Sequence, residues 1–273
     1  MRVLLTNDDG IEADGLQCLR RALRDVPGIE LAVVAPDGNR SAMARSITTR
    51  RPLWVQELDF GDGTVGYATD GTPVDCVRLA RLGLIEDFDP ELVVSGINHG
   101  SNLGDDITYS GTVAAALEAI VLGLPGIAVS QQSSALELDF RQGLAYDFTV
   151  AASFTASLVR DLEALRLPTG TLLNINVPGT DPVGVEVARL GKRVYRDELS
   201  LVEEKDVRRL YRIYGDASHD PSERDTDLAA VSAGKIAVTP LHFALTHHES
   251  LLALGEHDLN RLLREPTARP GQP

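Results

Sequence analysis

The sequence predicts an α/β protein: a parallel sheet covered by helices, followed by a C-terminal extension of β-hairpin and helix. Three observations carry this. Residues 2–6, RVLLT, hold three consecutive branched apolar side chains, as a strand buried on both faces requires. Similar runs recur up to about residue 178, separated by helical periodicities. From about residue 181 the segments become charge-rich and alternate in polarity, the pattern of hairpins with one exposed face.

Taken in order, residues 14–25 (DGLQCLRRALRD) place Leu16, Leu19 and Leu23 on one helical face. Residues 30–35 (ELAVVA) form a second strand that Pro36-Asp37-Gly38 ends, so the chain opens with a β-α-β unit. Residues 52–58 and 64–69 alternate around a GDG turn and predict a hairpin extending the sheet. Gly71-Thr72-Pro73 leads into a buried helix, VDCVRLARLGL, with proline near its first turn. ELVVS at 91–95 and GIAVS at 126–130 are further buried strands, flanking a helix over 112–122 that Gly123 and Pro125 stop. A helix over about 142–164 and a last core strand, TLLNINVP, complete the core at residue 180. The extension, 181–264, includes KIAVTPL as a strand and a helix over 249–264, and is suited to oligomer contacts; residues 265–273 read as a disordered tail.

The first strand ends in Asn7-Asp8-Asp9-Gly10. A parallel sheet places its chemistry beyond the carboxyl ends of its strands, and two adjacent carboxylates there repel unless protonated or held by a cation. Residues 39–51, NRSAMARSITTRR, carry four arginines and no acid, and bring Ser41 to the same edge. The strand at 91–95 delivers GINHGSNLGDDITYSGT, a loop long enough to be functional. Its end, Ser110-Gly111-Thr112, opens a helix, whose N-H groups, dipole and two hydroxyls suit a phosphate. Asn102 in the same loop is a further candidate for the substrate. Asp105-Asp106 is a rival acidic pair, but it does not directly follow a buried strand. His99 is the histidine beside the proposed site, and Met43 and Trp54 are expected to pack.

Composition narrows the field. The 273 residues are 43% hydrophobic and 24% charged, ordinary for a globular protein. A formal charge of -14 disfavours stable nucleic-acid binding, while an anionic small substrate remains compatible if a metal and local arginines reverse the field. Two cysteines match neither a disulfide framework nor a zinc site. No apolar run approaches the roughly 18 residues of a membrane span, and no leader pattern is present, so a cytoplasmic location is expected.

Asp8, Asp9, Ser41 and Asn98 come from three strand ends and offer only oxygen donors, a set that suits one hard divalent cation, Mg²⁺ or Mn²⁺. Neither G-x-G-x-x-G nor G-x-x-x-x-G-K-[ST] occurs, which weighs against dinucleotide and P-loop binding. A receiver-like signalling module also places an acidic pair after its first strand, but the lysine it needs after the fifth cannot be placed here.

The motifs NDDGI, APDGNRSAMARSIT, GTPVDCV, SGINHGSNLGDDITYSGTVAAALEA and the late VTPL together resemble the SurE family of stationary-phase survival proteins, which are metal-dependent nucleotidases. The likeness covers most of the first 130 residues and recurs near 171–178 and 235–241. It implies a Rossmann-like core, hydrolysis of nucleoside 5′- and 3′-monophosphates, exopolyphosphatase activity, and dimers or tetramers formed through the C-terminal region. It also implies metal ligation by Asp8, Asp9, Ser41 and Asn98. In place of the family's usual Gly-His-Ser-Ile-Thr stands Ala44-Arg45-Ser46-Ile47-Thr48, and an arginine cannot act as a base at neutral pH.

Overall fold

The computed structural model describes residues 1–136, 145–195, 199–213, 217–219 and 223–264. They divide into a large unit, Met1–His242, and a small one, Phe243–Pro273.

The large unit is a Rossmann-like α/β fold. Its strands are β1 (Arg2–Thr6), β2 (Glu30–Pro36), β3 (Val55–Asp59), β4 (Val65–Thr69), β5 (Leu92–His99), β6 (Gly126–Gln131), β7 (Thr171–Val177), β8 (Val185–Val187), β9 (Arg193–Tyr195), β10 (Ser200–Lys205), β11 (Arg208–Arg212), β12 (Ala217–His219) and β13 (Ile236–His242). Nine of them form one sheet in the order β3-β4-β2-β1-β5-β6-β7-β13-β8. Strands β4 to β7 in that order are mutually parallel, β3 is antiparallel to β4, and β13 is antiparallel to β7.

Helices α1 (Asp14–Arg24) and α4 (Thr149–Arg160) cover one face, and α2 (Pro73–Arg81) and α3 (Gly111–Val121) the other. Strand pleating explains the unbroken apolar run Val3-Leu4-Leu5 in β1. Val3 and Leu5 pack with Leu16, Leu19 and Leu23 of α1, whereas Leu4 packs with Cys76, Val77 and Ala115 beneath α2 and α3. All three β1 side chains are fully buried. Helix α2 starts where expected because Thr72 and Asp75 form a reciprocal capping box and Pro73 occupies the first turn.

Several boundaries differ from those read in the sequence. Strands β8 and β13 lie within the main sheet, so the sheet does not end at residue 180. Helix α4 begins at Thr149, whose N-H donates to Asp147 Oδ1 at 2.9 Å; the expected start at 142–144 lies outside the described residues. Trp54 is 81% exposed and Met43 is exposed too, so neither is a core residue. In the small unit the expected helix over 249–264 is broken into α6 (His248–Gly255) and α7 (Arg261–Arg264). The break falls where Asn260 N-H turns back to Asp258 Oδ1, at 3.1 Å. The tail 265–273 lies outside the described residues.

The segment after residue 180 is tied to the core by Asp227, the first residue of the short helix α5 (Asp227–Ser232). Its fully buried carboxylate accepts from the backbone N-H groups of Gly104, Gly191 and Leu228, at 2.8, 2.8 and 2.9 Å. Asp227→Ala leaves these donors without an acceptor, and is expected to lower unfolding free energy by about 2–4 kcal/mol in urea titrations. A loss below about 0.5 kcal/mol would show that the carboxylate does not hold the two segments together.

Candidate active site

The chain passes from β1 to β2 on one side of the sheet centre and returns to β5 on the other. The carboxyl ends of β1 and β5 therefore flank a topological switch point, where the connecting segments diverge and leave a crevice. Asp8 and Asp9 follow β1, and Asn98 and His99 are the last residues of β5. A register shift between Ser95 and Asn98 offsets the end of β5, which still pairs with β6 at Asn98 and His99. Asn7 locks the turn after β1: its Nδ2 donates to Gly10 O at 2.8 Å, and its Oδ1 accepts from Gly10 N-H at 3.2 Å.

Asp8 is 3% exposed and lies against the N-terminus of α3. The Thr112 hydroxyl donates to Asp8 Oδ1 at 2.5 Å. A Cβ at Gly111 would come within 2.8 Å of Asp8 Cβ and Oδ2, so the glycine permits this approach. Burial, reinforced by the charge of Asp9, pushes the Asp8 carboxyl up to about 6, against the pull of Thr112.

Asp9 is held from two sides. Its Oδ2 accepts from His99 N-H at 3.0 Å and lies 3.3 Å from His99 Nδ1. Its Oδ1 accepts from Asn39 Nδ2 at 3.4 Å, and Asn39 Oδ1 in turn accepts from Ser41 N-H at 2.8 Å. Asn39 thereby links the Ser41 backbone to Asp9. Arg40 N-H donates to Asp8 O at 2.6 Å, which fastens the same loop to the end of β1. Burial lowers the His99 pKa, but the hydrogen bond and charge of Asp9, with Asp14 and Asp8, outweigh it and the pKa is raised. Tyr146 and Phe148 pack on the His99 ring, with centroids 5.1 and 4.9 Å away.

Asn98 Nδ2 donates to Gly100 O at 2.8 Å, so its oxygen is the end suited to a cation. Ser110 Oγ caps α3 by accepting from Val113 N-H at 3.0 Å, which leaves its own proton to give. The Thr112 hydroxyl is committed to Asp8. Asn102, 7% exposed, is an internal brace: its N-H and C=O bond to Asn176 and Asn174, and its Nδ2 donates to Ser130 Oγ at 2.8 Å. The long loop is thus fixed from beneath by β7 and Asp227. Asn39, Asn174, Asn176 and Asp227 were not singled out in the sequence; only the Asn-x-Asn alternation in β7, polar within a buried run, marked any of them.

The rival pair separates. Asp106 forms a buried ion pair with Arg193 at 2.6 Å, while Asp105 is exposed. Arg45 reaches Glu118 of α3 at 2.5 Å, and Arg78 reaches the same carboxylate at 2.6 Å. Glu118 is 1% exposed, so the two guanidinium groups neutralise a buried charge.

Among the described residues no three His, Cys, Asp or Glu side chains gather as a metal site. The donors at the switch point are two carboxylates with hydroxyl and amide oxygens. That chemistry, with two like charges in contact and one of them buried, fits a hard divalent cation that keeps part of its water.

The model of the family "Survival protein SurE" matches residues 3–197. The chain belongs to the SurE family. It is 51% identical over 268 residues to "5′-nucleotidase SurE" of Rubrobacter xylanophilus, covering 96% of this chain and 99% of that one. The protein of the same name from Chloroflexus aggregans is 45% identical over 254 residues, covering 92% and 96%. The crystal structure of SurE protein from Aquifex aeolicus superposes with a TM-score of 0.78 at 34% identity, covering 97% and 100%.

The raised Asp8 pKa has a signed consequence. The folded state binds this proton more tightly than the unfolded chain, so the associated stability is full below about pH 4 and is lost as pH rises through about 6. In chelator, Asp8→Asn is expected to raise the thermal midpoint relative to wild type at pH 8, by an amount equivalent to about 1–3 kcal/mol. Near pH 4 the difference should vanish; equal midpoints at pH 8 would show that burial and the Asp9 charge do not raise the Asp8 pKa.

Proposed function

We propose that this chain is a metal-dependent phosphomonoesterase that hydrolyses nucleoside 5′-monophosphates to nucleoside and phosphate. The same site is proposed to accept 3′-monophosphates and the ends of polyphosphate chains. The observation that carries this reading is the pair Asp8-Asp9 at the switch point, with Asp8 against the N-terminus of α3. Membership of a family whose relatives are named 5′-nucleotidases supports the substrate class.

Asp8, Asp9, Ser41 and Asn98 are proposed to hold one Mg²⁺ or Mn²⁺. The bound cation supplies Lewis acidity toward the phosphoryl group. The Ser110 hydroxyl and the amide end of α3 at Gly111 bind phosphate oxygens, with the helix dipole favouring their charge. Thr112 acts one step back, holding Asp8 in place, and Asn102 keeps the loop in register. One carboxylate of the pair takes the proton of the attacking water, and His99 fixes the orientation of Asp9.

Self-association as dimers or tetramers is part of the proposal. The β10–β11 hairpin offers Leu201, Val202, Leu210 and Tyr211, all exposed, as the surface for it. No helix among the described residues is long and apolar enough to cross a membrane. Cys18 and Cys76 are free thiols, which suits a reducing cytoplasm, and no stable nucleic-acid partner is proposed.

Phosphate release from a panel of 5′- and 3′-nucleoside monophosphates, with Mg²⁺, Mn²⁺ or chelator, tests the reading. Wild type is expected to need metal, and Asp9→Asn to lose about two orders of magnitude or more while keeping its fold. Near-normal turnover by that variant in saturating metal would remove the pair from the mechanism. A second measurement is the metal-induced rise in thermal midpoint. Above pH 6 it should be present in wild type and largely lost in Asp8→Asn.

A further inference from the structure

We infer that the cavity at the ends of β6 and β7, beside His99, binds the nucleobase of the substrate. This inference rests on the nucleotidase reading and specifies where the non-reacting half of the substrate lies. The cavity has a volume of about 340 Å³, inside the range of small-molecule sites. Its wall includes Gln131, Tyr146, Val150 and Val177, with Asp147 and Asp181 exposed at the edge.

Position is the first argument. Gln131, the last residue of β6, pairs in register with His99, the last of β5. The Tyr146 ring is 5.1 Å from the His99 ring, and His99 Nδ1 is 3.3 Å from Asp9 Oδ2. A single side chain therefore separates the cavity from the proposed phosphoryl site. A ligand with its phosphate at Asp8-Asp9 and its sugar across His99 brings its base to Tyr146.

Chemistry is the second. Among the described residues no lysine or arginine lines the cavity, and two carboxylates stand at its edge, which disfavours an anionic group. It suits an uncharged, flat group that carries N-H donors. Tyr146 supplies an aromatic platform, and Phe148 stacks behind it at 5.6 Å with planes 7° apart, which holds the ring in place.

The third argument is a neutral wall residue held in place. Gln131, 3% exposed, gives its Nε2 to the carbonyls of Gln132 and Pro178 at 3.0 and 2.9 Å. Carbonyls accept only from the nitrogen, so the orientation of this amide is set. Its Oε1 is buried with no donor bonded to it. Gln131 thus closes the inner wall as a fixed, neutral amide, in keeping with an uncharged occupant.

The test is the ratio of kcat/KM for adenosine 5′-monophosphate to that for ribose 5-phosphate, which lacks a base. Wild type is expected to favour the nucleotide by tenfold or more. Tyr146→Ala should lower the ratio by about tenfold, and Tyr146→Phe should preserve it, since stacking needs the ring and not the hydroxyl. Thr180→Trp, at an exposed position in the cavity wall, should lower the ratio by filling the space. A wild-type ratio near one, or a ratio that neither Tyr146→Ala nor Thr180→Trp changes, overturns the base site. So does an equal loss on both esters in Tyr146→Ala, which would make Tyr146 only a support for His99. Silence of wild type on both esters overturns the nucleotidase reading itself, and the base site with it.

Discussion

The repulsion between two adjacent carboxylates at the end of a buried strand is the constraint on which the site depends. β1 is enclosed on both faces, so Asp8 cannot swing into water to escape Asp9. The fold answers with directed donors: the Thr112 hydroxyl on Asp8, and the His99 N-H and Asn39 amide on Asp9. These reduce the strain of holding charge there without removing it, as the elevated Asp8 pKa shows. A site kept in that condition has an electrostatic reason to take up a cation.

Distant residues serve the same end. The long loop after β5 must deliver Ser110 and Gly111 to Asp8 across a close approach that has no room for a Cβ. Such tolerance demands a rigid loop, and the rigidity comes from groups outside it. Asn174 and Asn176 grip the backbone of Asn102, and Asp227 grips that of Gly104. Arg193 neutralises Asp106 from β9. Residues from 174 onward, which contribute no proposed ligand, therefore help set the geometry of the ligands supplied by the first 112 residues.

Much of this was legible in the sequence, for definite reasons. A doubly buried strand needs a continuous apolar run, and RVLLT, ELAVVA, ELVVS and GIAVS all show it, so the parallel core and its polar edge could be read directly. The hairpin at 52–69 was visible from its alternation and its GDG turn, and became β3 and β4. What escaped was information held in three dimensions. β13 has only a short apolar run, Ile236-Ala237-Val238, before Thr239 and Pro240, and it follows charge-rich segments, which obscured its place beside β7. Asp227 sits in the acidic stretch SHDPSERDTD, where composition suggests solvent; only the fold brings it to Gly104 and Gly191. The Thr112 hydroxyl, expected to face a phosphate, turns to Asp8 because the helix start and the strand end are neighbours in space alone.

The central claim is that the strained pair exists to bind a cation. Calorimetric titration of the chain with Mn²⁺ at pH 6 and pH 8, each in buffers of different ionisation enthalpy, measures it most directly. The account predicts one site per chain, with a fraction of a proton released at pH 6 as Asp8 ionises and almost none at pH 8. Asp8→Asn should weaken binding and abolish the release. Absence of binding, or binding with the same stoichiometry and proton release in Asp8→Asn, would contradict it.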